Sequence, residues 1–145
     1  MAPSRRILAR PRPRGFTLLE LLVVVAIIAL LAAYVGPKYF SQVGKSEQAV
    51  ARSQMAAFAR AVGAYRLDVG SFPSTEEGLE ALLVKPANAA RWNGPYLEKT
   101  VPPDPWGRPY QYRSPGTDGS DFEITSLGKD GQPGGEGDAA DLNHR

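Results

Sequence analysis

Apolar residues fill the chain almost without interruption from Phe16 to Val35 and then give way to a mixed pattern. The run holds twenty residues and a single charge, Glu20. At the 1.5 Å rise of an α-helix, about 20 apolar residues cross the hydrocarbon core of a lipid bilayer. The pattern therefore predicts a transmembrane helix over residues 16–36.

A different pattern begins after Pro37. Apolar residues recur there at i, i+3, i+7, i+10 and i+14, the spacing of one helix face, at Met55, Phe58, Val62, Tyr65 and Val69. Pro37 removes a helical hydrogen bond, so it favours either a kink or the end of the first helix. Because helix-forming sequence resumes at once, we expect a kink and a continuation of the long helix over residues 37–69. Gly70 then gives a helix C-terminal signal.

The remaining body, residues 70–145, alternates turns with short elements. Ser74 and Glu77 have the spacing of a capping box and predict a short helix. Two runs of alternating side chains, residues 110–113 and 122–125, flank a turn-rich segment and predict a β-hairpin. The predicted fold class is therefore α+β, with a long N-terminal helix packed on a small antiparallel β-sheet.

Charge distinguishes the two ends of the chain. Five arginines precede Phe16 with no acidic residue among them: Arg5, Arg6, Arg10, Arg12 and Arg14. Without them, 12 basic residues stand against 15 acidic ones, a net charge of −3, so nucleic-acid binding loses its main support. Because the arginines outweigh Lys38 and Lys45, we expect the N-terminus in the cytoplasm and the body exported.

The apolar run does not resemble a secretory signal that is removed after its apolar core. Such a signal ends with small residues two positions apart. Neither Ala32 nor Ala33 has a small residue two positions later. The chain changes from basic to apolar before the run instead, in RGFTLLE over residues 14–20.

The segment RGFTLLELLVVVAIIALLAA, residues 14–33, resembles the class III leader and N-terminal helix of type IV pilins and type II secretion pseudopilins. The resemblance implies that residues 1–15 are a cytoplasmic leader. It also implies that a prepilin peptidase cuts between Gly15 and Phe16 and that the new α-amino group of Phe16 is methylated. The apolar helix stays in the product, in the inner membrane.

Glu20 needs a partner, because a carboxylate inside a membrane helix costs about 3 kcal/mol or more. One alternative is that its side chain reaches back to the cytoplasmic interface. In the resembled family, the matching glutamate pairs with the first α-amino group of a neighbouring subunit. We therefore expect Glu20 to be unpaired in the lone subunit and to set the register of a homo-oligomeric helical filament.

Four further segments resemble the major pseudopilins of type II secretion, the core protein G family. They are GSFPSTEEGLEAL (70–82), GPYLEK (94–99), DPWGRPYQY (104–112) and SLGKDGQPGGEGDAADL (126–142). The resemblance implies a structural subunit of the periplasmic pseudopilus, which drives export of folded proteins through the outer membrane. The implied partners are minor pseudopilins, the prepilin peptidase, an inner-membrane platform with a cytoplasmic ATPase and, indirectly, the secretin.

The segment over residues 127–142 is rich in acidic residues and glycine. Ca²⁺ takes six to eight oxygen ligands, and glycines let a loop wrap closely around an ion. The pattern matches neither an EF-hand nor a complete glycine-rich calcium repeat. On the residues alone, a solvated loop is therefore the simpler interpretation.

The resemblance to major pseudopilins implies a structural Ca²⁺ in this loop instead. The expected ligands are Leu127 through its carbonyl, Asp130, Asp138 and Asp141. Asp138 is reached only by a one-residue shift from the family's position, which is Gly137 here, so Glu136 and the carbonyl of Ala139 stay open as alternatives. The ion would order an acidic loop in a chain without cysteine.

No pattern in the sequence indicates catalysis. The single histidine, His144, lies where order is least expected, and nucleophile and phosphate-binding motifs are absent. Two other hypotheses are a type IV or minor pilin for adhesion or DNA uptake, and a monomeric calcium-binding module with a permanent anchor. Type IV pilins commonly close a C-terminal loop with a disulfide, which this chain cannot form, and the monomer gives Glu20 no partner.

Overall fold

The structure is a computed structural model that describes residues 15–145, with the backbone alone at positions 40 and 41. In chain order its elements are α1 (Leu18–Val69), a 3₁₀ helix (Gly78–Leu82), β1 (Gln111–Arg113), β2 (Glu123–Ser126), a second 3₁₀ helix (Gly137–Ala139) and β3 (Leu142–His144). The chain divides into two compact units, one up to Tyr39 and the other from Phe40 onward.

The described part of the first unit is dominated by the apolar segment of α1. An eighteen-residue window of this helix has a mean hydropathy of 2.8, enough by length and composition to cross a membrane. Its leucine, isoleucine and valine side chains are exposed, as a segment surrounded by lipid requires. The helix does not end at Pro37, which lies inside it, so the expected continuation is present.

The core of the second unit forms on one face of α1. Met55, Phe58, Val62 and Tyr65 of the predicted stripe are buried, and Val69 is partly buried against them. The stripe packs with apolar side chains from the first 3₁₀ helix and the three strands: Leu79, Leu82, Tyr112, Ile124 and Leu142. Burying each large apolar side chain contributes about 1.5–3 kcal/mol, so apolar packing joins the sheet to the helix.

Glycine ends α1 as predicted. Gly70 has φ +94°, and its N–H donates to the carbonyl of Arg66 at 2.8 Å, which forms a left-handed C-terminal cap. The guanidinium of Arg91 donates to the carbonyl of Val69 at 3.1 Å. Together these bonds satisfy carbonyls that the helix itself leaves free.

The predicted capping box is also present. The Ser74 N–H donates to Glu77 Oε2 at 2.9 Å, and the Glu77 N–H donates to Ser74 Oγ at 3.2 Å. The helix that follows is a 3₁₀ helix of five residues, Gly78–Leu82.

The three strands form one antiparallel sheet in the order β1-β2-β3. The predicted hairpin is β1 and β2, with Tyr112 paired to Ile124. The third strand was not predicted; it pairs with β2 through Ile124↔His144 and Ser126↔Leu142. The expectation that His144 lacks order is therefore wrong, since β2 supplies its hydrogen-bonding partners.

Candidate functional site

The first candidate site is the segment that precedes α1. Gly15 and Phe16 lie outside the helix and are exposed, with 89% of Phe16 accessible. A protease needs such an exposed, non-helical peptide bond. The rest of the predicted leader, residues 1–14, lies outside the described residues.

Glu20 closes a capping box with Thr17 at the start of α1. Its Oε2 accepts the Thr17 N–H at 2.8 Å and the Thr17 hydroxyl at 2.9 Å. The Glu20 N–H donates in return to Thr17 Oγ1 at 3.2 Å. These donors are neutral, so they give the Glu20 carboxylate local hydrogen bonds but no opposite charge, and the expected pairing of its charge in the polymer stays a prediction. The T-x-x-E spacing at residues 17–20 is the sequence signal that indicates this local partner.

The second candidate site is the acidic loop between β2 and β3. Asp141 stands at its end, and its Oδ2 accepts the Gly134 N–H at 2.8 Å. Its Oδ1 is buried without a hydrogen-bond partner. A buried acceptor left unsatisfied costs about 1–3 kcal/mol, and more when it is charged. This oxygen is therefore suited to receive a cation.

Backbone carbonyls crowd the same loop. Gly128 and Gly135 have φ +62° and +89°, and a side chain at either position would meet the carbonyl of Ala139. A side chain at Gly128 would also meet the carbonyl of Ala140. The loop thus places carbonyl oxygens close to its own backbone, next in the chain to Asp141.

The beginning of the loop folds into a tight turn. The Leu127 carbonyl accepts the Gly131 N–H at 3.2 Å. Asp130 is exposed, and its Oδ1 accepts the Gln132 N–H at 3.1 Å. Both expected ligands therefore belong to one hydrogen-bonded turn, each with further lone pairs.

Asp138 faces α1. A side chain at Gly44 would overlap its carboxylate, and Gln48 donates to the Gly137 carbonyl at 2.8 Å. Within residues 15–145, no three acidic or histidine side chains come together as a metal cluster. A calcium site here must therefore include backbone carbonyls beside Asp130 and Asp141. The roles of Asp138 and of the exposed Glu136 stay predictions.

Two family models match consecutive parts of the sequence. The model of type II secretion system protein G matches residues 38–145, and the prokaryotic N-terminal methylation motif matches residues 10–36. The chain belongs to the type II secretion system protein G family. This membership agrees with the sequence resemblance and favours it over the type IV pilin hypothesis.

Members of the protein G family are similar to this chain along nearly its whole length. It is 44% identical to the type II secretion system core protein G of Pseudomonas aeruginosa, over 93% of this chain and 96% of the relative. It is also 44% identical to the core protein G of Vibrio cholerae, over 90% of each chain.

A solved structure of a major pseudopilin shares the fold. The crystal structure of the major pseudopilin from the type 2 secretion system of enterohaemorrhagic Escherichia coli matches with a TM-score of 0.59 and 34% identity. The match covers 72% of this chain and 90% of that chain. The predicted pilin-like α+β fold is therefore confirmed. The methylation motif includes the apolar part of α1, and the two together support anchoring in a membrane.

Proposed function

We propose that this chain is the structural subunit of a type II secretion pseudopilus, the periplasmic filament that drives export of folded proteins through the outer membrane. The observation that carries the proposal is the order of the two matches. The methylation motif over residues 10–36 leads directly into the protein G family match over residues 38–145. A filament subunit acts by packing against copies of itself, so the role is structural and not enzymatic.

The start of α1 supports a mechanism of assembly. Cleavage between Gly15 and Phe16 by a prepilin peptidase would leave a positively charged amine at Phe16, which is then methylated. In the single chain, Glu20 accepts its hydrogen bonds from neutral donors of Thr17. An ammonium partner adds the Coulomb attraction between opposite charges, which is strong in a low-dielectric membrane and which neutral donors do not supply. Exchange of Thr17 for a neighbour's Phe16 amine would therefore favour the polymer and fix its register.

The membrane segment supports a defined topology for this subunit. The arginine-rich end stays in the cytoplasm, where the peptidase acts, and the body lies in the periplasm. Subunits wait in the inner membrane until the platform and its cytoplasmic ATPase add them to the filament. Minor pseudopilins and the outer-membrane secretin are the further partners of this assembly.

The proposal includes a structural Ca²⁺ in the acidic loop. Leu127 through its carbonyl, Asp130 and Asp141 would hold the ion, with the carbonyl of Ala139 close by. The buried, unpartnered Oδ1 of Asp141 supports this set. Asp138 would bind the ion only if its carboxylate moved away from Gly44. When bound, the ion supplies the positive charge that lets acidic side chains pack together in a chain without disulfides.

Intact mass and filament formation test the proposed function together. The chain extracted from membranes should lack residues 1–15, carry one methyl group and keep its apolar helix. Glu20→Leu should be processed in the same way but form no filaments by electron microscopy. Glu80→Gln, which neutralises an exposed acid outside α1, should assemble as the unmodified chain does.

Two results would contradict the proposal. One is a native chain that still begins at Met1 or that begins beyond Val35. The other is normal filaments from the Glu20→Leu variant, which would remove the electrostatic basis of the register.

A further inference from the structure

A tight turn over residues 104–108 holds a buried carboxylate, Asp104, which is only 3% exposed. Its Oδ1 accepts the N–H groups of Trp106 at 3.1 Å and Arg108 at 2.8 Å. Its Oδ2 accepts the Ser126 hydroxyl at 2.6 Å. One carboxylate therefore ties this turn to the end of β2, the residue before the acidic loop.

Ser126 links Asp104 to the peptide bond between Leu127 and Gly128. Its Oγ accepts the Gly128 N–H at 3.4 Å. That N–H shares a planar trans peptide with the Leu127 carbonyl, and in such a peptide the two groups point in opposite directions. The bond that holds the Gly128 N–H thus also sets the direction of the Leu127 carbonyl, an expected cation ligand.

Arg108 holds the same turn from its other side. Its Nη1 donates to the carbonyls of Gly128 at 2.9 Å and Lys129 at 3.1 Å. Its guanidinium also lies against Gly131, where φ is +70° and a side chain would overlap it. Two successive carbonyls are thereby occupied by a protein cation, and the Leu127 carbonyl is the one before them.

We propose that Arg108, Ser126 and Asp104 are positioning residues for a divalent cation in the acidic loop, and this inference rests on the calcium site of the proposed function. They fix the Leu127 carbonyl and the turn that carries Asp130 before the ion arrives, without touching it. Residues that orient metal ligands in this way raise affinity because less order is lost on binding.

The charge of Arg108 makes the test discriminating. Coulomb repulsion alone means that removing a cation near the site tightens Ca²⁺ binding. If Arg108 positions the loop, its removal weakens Ca²⁺ binding instead. Arg108→Gln in the full chain, purified in detergent, should weaken Ca²⁺ binding about tenfold or more by isothermal titration calorimetry. The rise in melting temperature from chelator to calcium should shrink with it.

Arg113→Gln is the matched control, because Arg113 is exposed on β1 and carries the same charge. It should bind Ca²⁺ as the unmodified chain does or slightly more tightly. Ser126→Ala changes no charge but removes the acceptor of the Gly128 N–H, and it should weaken binding as well. If Arg108→Gln does not fold, Arg108→Lys carries the test, since it keeps the charge and the aliphatic stem but loses the planar group.

Unchanged or tighter binding in the Arg108 variants would overturn the positioning role. So would an equal loss of melting temperature with and without calcium, which indicates a structural role only. If the unmodified chain binds no Ca²⁺ and Asp141→Ala behaves identically, the calcium site itself fails and the positioning role fails with it. Binding by the unmodified chain alongside unchanged Arg108 and Ser126 variants rejects the positioning role alone.

Discussion

At the scale of single residues, Glu123 is a carboxylate that the fold buries and supplies with donors. It is 7% exposed, and the Thr117 hydroxyl donates to its Oε2 at 2.7 Å. A guanidinium nitrogen of Arg145 lies 3.6 Å from its Oε1. The Thr117 hydroxyl, then the Thr117 backbone N–H and the charge of Arg145, hold the pKa of Glu123 below its ordinary value of 4.5, although burial acts to raise it. The folded state therefore favours its ionised form.

This lowered pKa predicts a dependence of stability on acid. Because the folded pKa lies below the unfolded one, Glu123 contributes stability above pH 4.5 that is lost as the pH falls through its folded pKa. We expect the melting temperature in chelator to fall on acidification below pH 4.5. Thr117→Val should make that fall shallower, whereas Thr100→Val, at an exposed position, should not. Equal acid profiles for the two variants would contradict the role of the Thr117 hydroxyl.

The sequence indicated which residues carry charge but not always what surrounds them. Glu20 was identified from one carboxylate in an apolar run, yet its partner in the chain, Thr17, depends on the geometry of the first helical turn. Asp138 was expected as a Ca²⁺ ligand only by a one-residue shift; its carboxylate lies at Gly44, and its role as a ligand stays a prediction. The contact of Asp138 with Gly44 joins segments far apart in the chain and leaves no local pattern, whereas the T-x-x-E spacing marks the contact of Glu20 with Thr17.

At the scale of elements, the second 3₁₀ helix, Gly137–Ala139, docks on α1. Gly44 is buried, and the Asp138 carboxylate occupies the space where a side chain would lie. Gln48, one turn later, donates to the Gly137 carbonyl. Because Gly44 has no side chain, the acidic loop can pack directly against α1 at this position.

This docking predicts that replacing a helix glycine by alanine destabilises the protein here, the opposite of the usual effect. Alanine in place of glycine inside a helix ordinarily stabilises it by about 1 kcal/mol. Gly44→Ala should instead lower the melting temperature, because its methyl group overlaps the Asp138 carboxylate. Gly63→Ala, where nothing lies within 4 Å, should raise it. The double variant with Asp138→Ala should recover the loss; a rise for Gly44→Ala alone would show that the loop does not dock there.

Elements with a periodic pattern, or with a turn or cap signal beside them, were predictable from the sequence, and the third strand was not. The apolar stripe from Met55 to Val69 repeats often enough to define a helix face, and the β1–β2 hairpin has a turn cluster between its strands. The third strand, Leu142–His144, has three residues, too few to show alternation. Its pairing with β2 depends on how the acidic loop returns, which is a tertiary property.

At the scale of the whole molecule, the body combines a modest core with no covalent cross-link. Its strands have three or four residues each, and the sequence has no cysteine. Small domains of this kind often gain stability from a bound metal. A cation that binds only the folded state would raise stability by about 2.7 kcal/mol at a concentration of 100 times its Kd.

Calcium removal should therefore lower the melting temperature of the full chain, measured by circular dichroism. Asp141→Asn should lose this response and, in chelator, be at least as stable as the unmodified chain. The reason is that a neutral amide leaves no charge on the buried oxygen that lacks a partner, Oδ1. Asp121→Asn alters only an exposed ion pair with Arg66 and should respond to calcium normally. An unchanged response in Asp141→Asn would exclude this carboxylate as a ligand.

The pairing of Ser126 with Leu142 has a consequence for variation in this protein. The pairing of β2 with β3 holds the two ends of the intervening loop together, and this pairing does not depend on the length of the loop. By polymer theory, doubling the length of such a loop adds only about 0.6 kcal/mol of closure entropy. Insertions at the tip of this segment should therefore leave the pairing of β2 with β3 intact.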